Sequence, residues 1–149
     1  MAVVVLTDSG CDLTREEANR IGIEIVPVYL VFGNAKLRDG IDIDRATFYR
    51  RLKAGETAKT EPPSADDFTS AFLKNVGAGN DVVCITLSSQ FSQSYANATA
   101  AAAAFPDRVH LVDSRSACGM QVLLARYAAD LAKTGVSAAE IAKTVGPRN

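Results

Sequence analysis

Apolar residues lie along this chain in two patterns, as short unbroken runs and as positions spaced at helical intervals. Residues 2–6 form a largely β-branched run that ends in Thr7-Asp8-Ser9-Gly10. That is the pattern of a strand buried on both faces that stops in a polar loop. Residues 82–87 (Val-Val-Cys-Ile-Thr-Leu) repeat the pattern and end in Ser88-Ser89-Gln90-Phe91-Ser92-Gln93-Ser94, and residues 109–112 end in Asp113-Ser114-Arg115-Ser116. Between the first two, residues 23–32 read as one long strand through Ile23, Ile25, Val28 and Phe32. Gly33-Asn34 then fits a positive-φ turn, and Lys36-Leu37-Arg38 is the polar return arm of an edge hairpin.

Helix signals fill the intervals. Thr14 and Glu17 form a capping box that opens a helix over 14–21, closed by Gly22, and Asp44 caps a helix through Ala54. Residues 55–63 read as a loop. Ser64 opens a helix with Phe68, Phe72 and Leu73 on one face, ended by Gly77 and Gly79. The alanine-rich segment after Ser94 predicts a helix to Ala104, whose small side chains permit close approach to a sheet. A long helix over 117–133 and a short one capped by Ser137 complete the chain. Alternating strands and helices predict one α/β domain, a mostly parallel sheet with helices on both faces. Ligands of such sheets bind beyond the strands' carboxyl ends. Here those ends are 7–9, 88–94 and 113–114, three hydroxyl-rich loops brought to one edge.

Composition removes several functions. Lys and Arg (16) nearly balance Asp and Glu (17) and are scattered, so no nucleic-acid footprint is present. Cys11, Cys84 and Cys118 form no CxxC, have no His partner at ligand spacing and are odd in number, which reads as reduced thiols in a cytoplasmic protein without a bound metal. Cys84 lies in an apolar run and reads as core. The five apolar residues before Thr7 are too few for a signal peptide, and nothing approaches a transmembrane segment.

Catalytic patterns are also missing. His110, the single histidine, sits inside the run 109–112, and there is no GxSxG, GxGxxG or GxxxxGK[ST]. Asp42-Ile43-Asp44 does not follow a buried apolar strand, so Asp44 is better read as a helix cap. Asp8 and Asp113 fit loop-organising roles through backbone hydrogen bonds. The expectation is a binding protein without a cofactor rather than an enzyme. The serine-rich loop, including Ser89, leaves open a small phosphorylated or hydroxylated metabolite as its ligand.

Five segments together resemble the DegV family: 3–9 (Val-Val-Val-Leu-Thr-Asp-Ser), 26–28 (Val-Pro-Val), 60–64 (Thr-Glu-Pro-Pro-Ser), 88–95 (Ser-Ser-Gln-Phe-Ser-Gln-Ser-Tyr) and 112–114 (Val-Asp-Ser). They occur in the family's order, and the likeness extends more loosely to about residue 145. The resemblance implies a bacterial protein that binds a long-chain fatty acid and hands it to a separate fatty acid kinase. It further implies that Thr60 and Ser92 hydrogen-bond the ligand carboxylate. It also implies that residues 1–149 correspond to the family's N-terminal domain alone, so that an exposed inter-domain face could drive self-association.

A buried carboxylate needs donors to replace its lost water, and hydroxyls supply them without a counter-charge. Backbone amides near Gln93 and Ser94, at a helix start, add to the grip. Val28, Leu30, Phe32, Phe91 and Met120 are candidates for the walls of an apolar tunnel. Two departures from the family pattern bear on this site. Glu61-Pro62 replaces Ser-Gln and puts an acid beside Thr60, which is harmless where the carboxylate turns away. Gln93 replaces glycine, which is tolerated where that residue has helical φ.

Overall fold

The structure is a computed structural model that describes residues 2–148. β1 (Val3–Asp8), β2 (Ile23–Val26), β6 (Asp81–Thr86) and β7 (Val109–Asp113) form a four-stranded parallel sheet in the order β2-β1-β6-β7. Helices α1 (Arg15–Arg20), α5 (Cys118–Lys133) and α6 (Ala138–Val145) cover one face, packing Ala18, Ala125, Ala128, Ile141 and Val145 onto Val5, Val83, Ile85 and Val112. Helices α3 (Ala65–Gly77) and α4 (Ser94–Ala102) cover the other, with Phe68, Phe72, Ala98 and Ala101 against Leu6, Val82 and Cys84. Successive strand residues thus enter opposite cores, which is why the strands read as continuous apolar runs rather than alternating ones. The parallel sheet between two helical layers agrees with the sequence reading, as do the Thr14 capping box, the Asp44 cap and the core position of Cys84.

Four local expectations are corrected. Residues 23–32 are two strands in two sheets: β2 ends at Val26, and β3 (Tyr29–Phe32) belongs to a small antiparallel sheet in the order β4-β3-β5. Pro27 lacks an amide for the parallel ladder, and Val28 instead donates its N–H to Ser9 Oγ at 2.9 Å. The hairpin return is β4 (Ala35–Arg38), on the edge as expected. Residues 55–63 are not all loop, because Lys59–Glu61 form β5 and pair with β3.

Leu73 is 60% exposed and lies off the apolar face of α3, where Asn75 is buried instead and donates to a Glu24 carboxylate oxygen. Finally, α4 stops at Ala102 rather than Ala104. Helix α2 (Arg45–Lys53) lies beside the small sheet, whose own core is Leu30, Phe32 and Ile43 with Phe48 packed against it.

Candidate ligand-binding site

Two half-open cavities that share part of their lining lie between the carboxyl ends of β1 and β6 and the small antiparallel sheet. The first, about 440 Å³, is bordered by Thr60, Glu61 and Pro62 on one side and by Ser89, Gln90, Phe91, Ser92 and Gln93 on the other. The second, about 480 Å³, has apolar walls from Leu13, Ile25, Leu30 and Phe48, and Asp12, Arg15, Asp39, Asp44 and Arg45 also border it. Gly10, Val28, Thr60 and Leu87 border both. Thr60 and Ser92, 32 residues apart in the chain, therefore border the same cavity, and Thr60 also borders the other.

Local geometry explains each position. Thr60 stands opposite Leu30 in the β3–β5 register. Directly opposed residues put their side chains on the same face, so Thr60 follows the buried Leu30 toward the second cavity. Among the described residues its hydroxyl has no protein partner.

Glu61, one residue on, belongs to the other face with Tyr29 and Lys36. Its carboxylate is held by Lys36 Nζ at 2.7 Å, and that ammonium lies 4.4 Å from the Tyr29 ring centroid. Although Glu61 borders the first cavity, its carboxylate is paired with Lys36 on the far face of the small sheet.

The segment 88–94 is a tight turn. Phe91 and Ser92 donate their amides to the Ser88 carbonyl at 3.0 and 3.1 Å. Ser92 Oγ accepts from the Ser94 amide at 3.1 Å and lies 3.0 Å from Ser94 Oγ. Ser94 is fully buried, and its amide and hydroxyl both meet Ser92 Oγ. Gln93 has φ −81° and ψ 2°, so the residue in the family's glycine position adopts a conformation open to any side chain. The Ser89 hydroxyl donates to Asp113, which also accepts the amides of Ser89 and Arg115. Burial works against that carboxylate, yet these hydrogen bonds hold it below the usual aspartate range. Asp113 therefore ties the serine turn to the end of β7, and Ser89 is committed to it.

Asp8 does more than shape its own loop. Wholly buried, it accepts the Gly10 amide at 2.9 Å, the Leu87 amide at 2.6 Å and Gln121 Nε2 at 3.0 Å. Burial raises its carboxyl above the ordinary range, opposed by those three donors. Of the expected tunnel walls, Val28 and Leu30 border the apolar cavity and Phe91 the first one. Phe32 is instead core of the small sheet, and Met120 is 56% exposed and borders neither cavity. Sequence reasoning missed Gly10, Leu87 and Phe48. Leu87, the apolar residue closing a strand run beside the serine turn, was the available signal.

The DegV family model matches residues 2–147. The chain belongs to the DegV family. It is 32% identical over 152 residues to a fatty acid-binding protein of Thermotoga maritima, an alignment covering 99% of this chain and 53% of that protein. Two solved structures superpose closely. A DegV lipid-binding protein from Thermotoga maritima gives a TM-score of 0.87 at 30% identity, covering 97% of this chain and 53% of that one. A stearic acid-binding protein from Eubacterium ventriosum gives 0.84 at 30% identity, covering 95% and 51%. This DegV chain spans about half the length of the relatives it matches. Among its described residues, no helix is long and apolar enough to cross a membrane.

Proposed function

We propose that this chain binds a long-chain fatty acid, with the carboxylate held by the hydroxyls of Thr60 and Ser92 and the acyl chain lying in the apolar cavity. One observation carries the reading: Thr60 borders both the hydroxyl-lined cavity and the apolar one, so a single ligand can meet a polar anchor and a greasy channel in succession. The headgroup end forms from exposed Thr60 and half-buried Ser92, while the tail end contributes roughly 0.8 kcal/mol per buried methylene. The fatty acid-binding relatives support the same ligand class. A carboxylate at this rim faces outward, which suits presentation to a cytoplasmic fatty acid kinase. In this reading the chain supplies binding rather than catalysis.

The test is calorimetric titration of delipidated protein with hexadecanoate. Thr60→Ala and Ser92→Ala should each weaken binding by about tenfold or more, the usual effect of losing a hydrogen bond to a charged group, with unchanged thermal unfolding. Equal affinity in wild type and both variants sinks the assignment. Mass spectrometry of lipid extracted from the purified protein separates an acyl chain from a phosphate ester, and adding a fatty acid kinase with ATP reads presentation. Light scattering on the same preparation reads self-association.

A further inference from the structure

Gly10, Val28, Thr60 and Leu87 form the boundary common to the two cavities, and hydrogen bonds hold them in place. Asp8 holds two of them at once, accepting the Gly10 amide through Oδ1 at 2.9 Å and the Leu87 amide through Oδ2 at 2.6 Å. Val28 is fixed from both sides, its amide donating to Ser9 Oγ at 2.9 Å and its carbonyl accepting from the Asp39 amide at 2.9 Å. Thr60 is paired with Leu30 in the sheet.

The space is also tight on one side. A Cβ built on Gly10 would stand 2.8 Å from Asp8 Oδ1 and 3.3 Å from Leu87 Cδ1. Gly10 thus has no room for a side chain, because the Asp8 carboxylate and the Leu87 isobutyl group take up the space where it would stand. A boundary framed by three separate strand ends and tied to a buried carboxylate resists displacement.

Thr60 belongs both to this boundary and to the proposed hydroxyl grip. A carboxylate held there puts the first carbons of its chain, and not the distal ones, between Gly10, Val28 and Leu87. We infer that the two cavities communicate at this boundary through a neck that restricts the ligand to fatty acids unsubstituted at the carbons next to the carboxyl, with Leu87 as the specificity-determining side chain. Branches or hydroxyls at carbon 2 or 3 would have to sit in the neck, where one extra methyl group disfavours binding by about tenfold or more. Branches at the far end of the chain lie beyond it and are not selected against here. The inference rests on the fatty-acid reading given above.

Calorimetry with delipidated wild-type protein tests it through three ligands: hexadecanoic acid, 2-methylhexadecanoic acid and 15-methylhexadecanoic acid. Expected is binding of the first and third with similar affinity and of the second about tenfold or more weaker. Leu87→Ala should raise affinity for the 2-methyl acid relative to the unbranched one and close most of that gap. Leu87→Val, a smaller change in the same strand end, should close part of it.

Equal affinity of wild type for the unbranched and 2-methyl acids overturns the neck while leaving the fatty-acid reading intact. A wild-type preference that neither Leu87 variant alters overturns the role of Leu87. No binding of hexadecanoic acid to wild type overturns the fatty-acid reading and this inference with it.

Discussion

Gln121 donates its side-chain amide to Asp8 Oδ1 at 3.0 Å, joining α5 to the end of β1 across 113 residues of chain. The same Nε2 lies 2.8 Å from Thr7 Oγ1, which in turn donates to the Ile85 carbonyl at 2.7 Å. Helix, first strand and β6 are thereby tied in the layer directly beneath the two cavities. The acceptor at the centre of this arrangement is a carboxylate that burial penalises and three donors stabilise.

Asp8→Asn tests that centre. An amide has one acceptor oxygen, so its NH2 must face either the Leu87 amide or the Gly10 and Gln121 donors, leaving buried N–H groups unpaired at a cost of about 1–3 kcal/mol. The sign of the pH effect follows from the raised carboxyl. In the folded chain Asp8 binds its proton more tightly than when unfolded, so this contribution to stability is present at acid pH and lost as pH rises through the folded value. Chemical denaturation at several pH values should give a less stable Asp8→Asn whose deficit shrinks above the ordinary aspartate range. A variant as stable as wild type throughout contradicts the account.

Gln93→Gly restores the family residue at the start of α4. Because Gln93 already has φ −81°, glycine relieves no strain and only adds freedom to the unfolded chain. The variant should lose about 0.4–1 kcal/mol in urea unfolding and bind hexadecanoate as wild type does. A stabilised variant, or one binding much more tightly, would mean that the glutamine obstructs the site.

The parallel sheet was legible because buried strands must be apolar on both sides, and the runs ending at Leu6, Leu87 and Val112 have no other economical placement. The second sheet was not. Its third strand, Lys59-Thr60-Glu61, has three exposed residues and is held by backbone pairing to β3, which leaves no trace in side-chain pattern. Pro27 did carry the signal for the break between β2 and β3, since a residue without an N–H interrupts a ladder.

In the site, the matched segments contained Thr60 and Ser92, which border one cavity, but the boundary with the second cavity was invisible. Gly10 and Leu87 meet through a carboxylate whose partners stand 2 and 79 residues away. Gln121, buried in α5, likewise finds its partner in Asp8, 113 residues away. Met120, one residue earlier, faces solvent because a single step along a helix turns the side chain by roughly 100°.

The cysteines report on cavity occupancy. Cys11 and Cys84 are buried, and burial pushes the Cys11 thiol up to about 11 and the Cys84 thiol higher still. Cys118 is exposed and borders the apolar cavity, with its thiol raised by a hydrogen bond to Asp12 and then by partial burial. A disulfide reagent such as DTNB should therefore modify one thiol of the native protein quickly, and Cys118→Ser should abolish that phase. Since the thiolate is the nucleophile, the rate should keep climbing above the ordinary thiol range. Saturating hexadecanoate should slow it. A rate indifferent to the fatty acid argues that the chain does not fill the cavity beside Cys118.

Lys36 and Glu61 bear on how an anion tolerates a glutamate next to Thr60. The pair is exposed, so its effect on folding should be small. Its effect on binding should be larger, because Lys36→Met leaves the Glu61 charge uncompensated at the border of the first cavity. Hexadecanoate affinity should fall several-fold in low salt and recover as added salt screens the repulsion. The double change Lys36→Met with Glu61→Gln should restore wild-type affinity, since it removes both charges together. If Lys36→Met alone binds as wild type at every salt concentration, the Glu61 carboxylate is too far from the headgroup to matter, and its turn to the far face of β5 suffices without the ammonium.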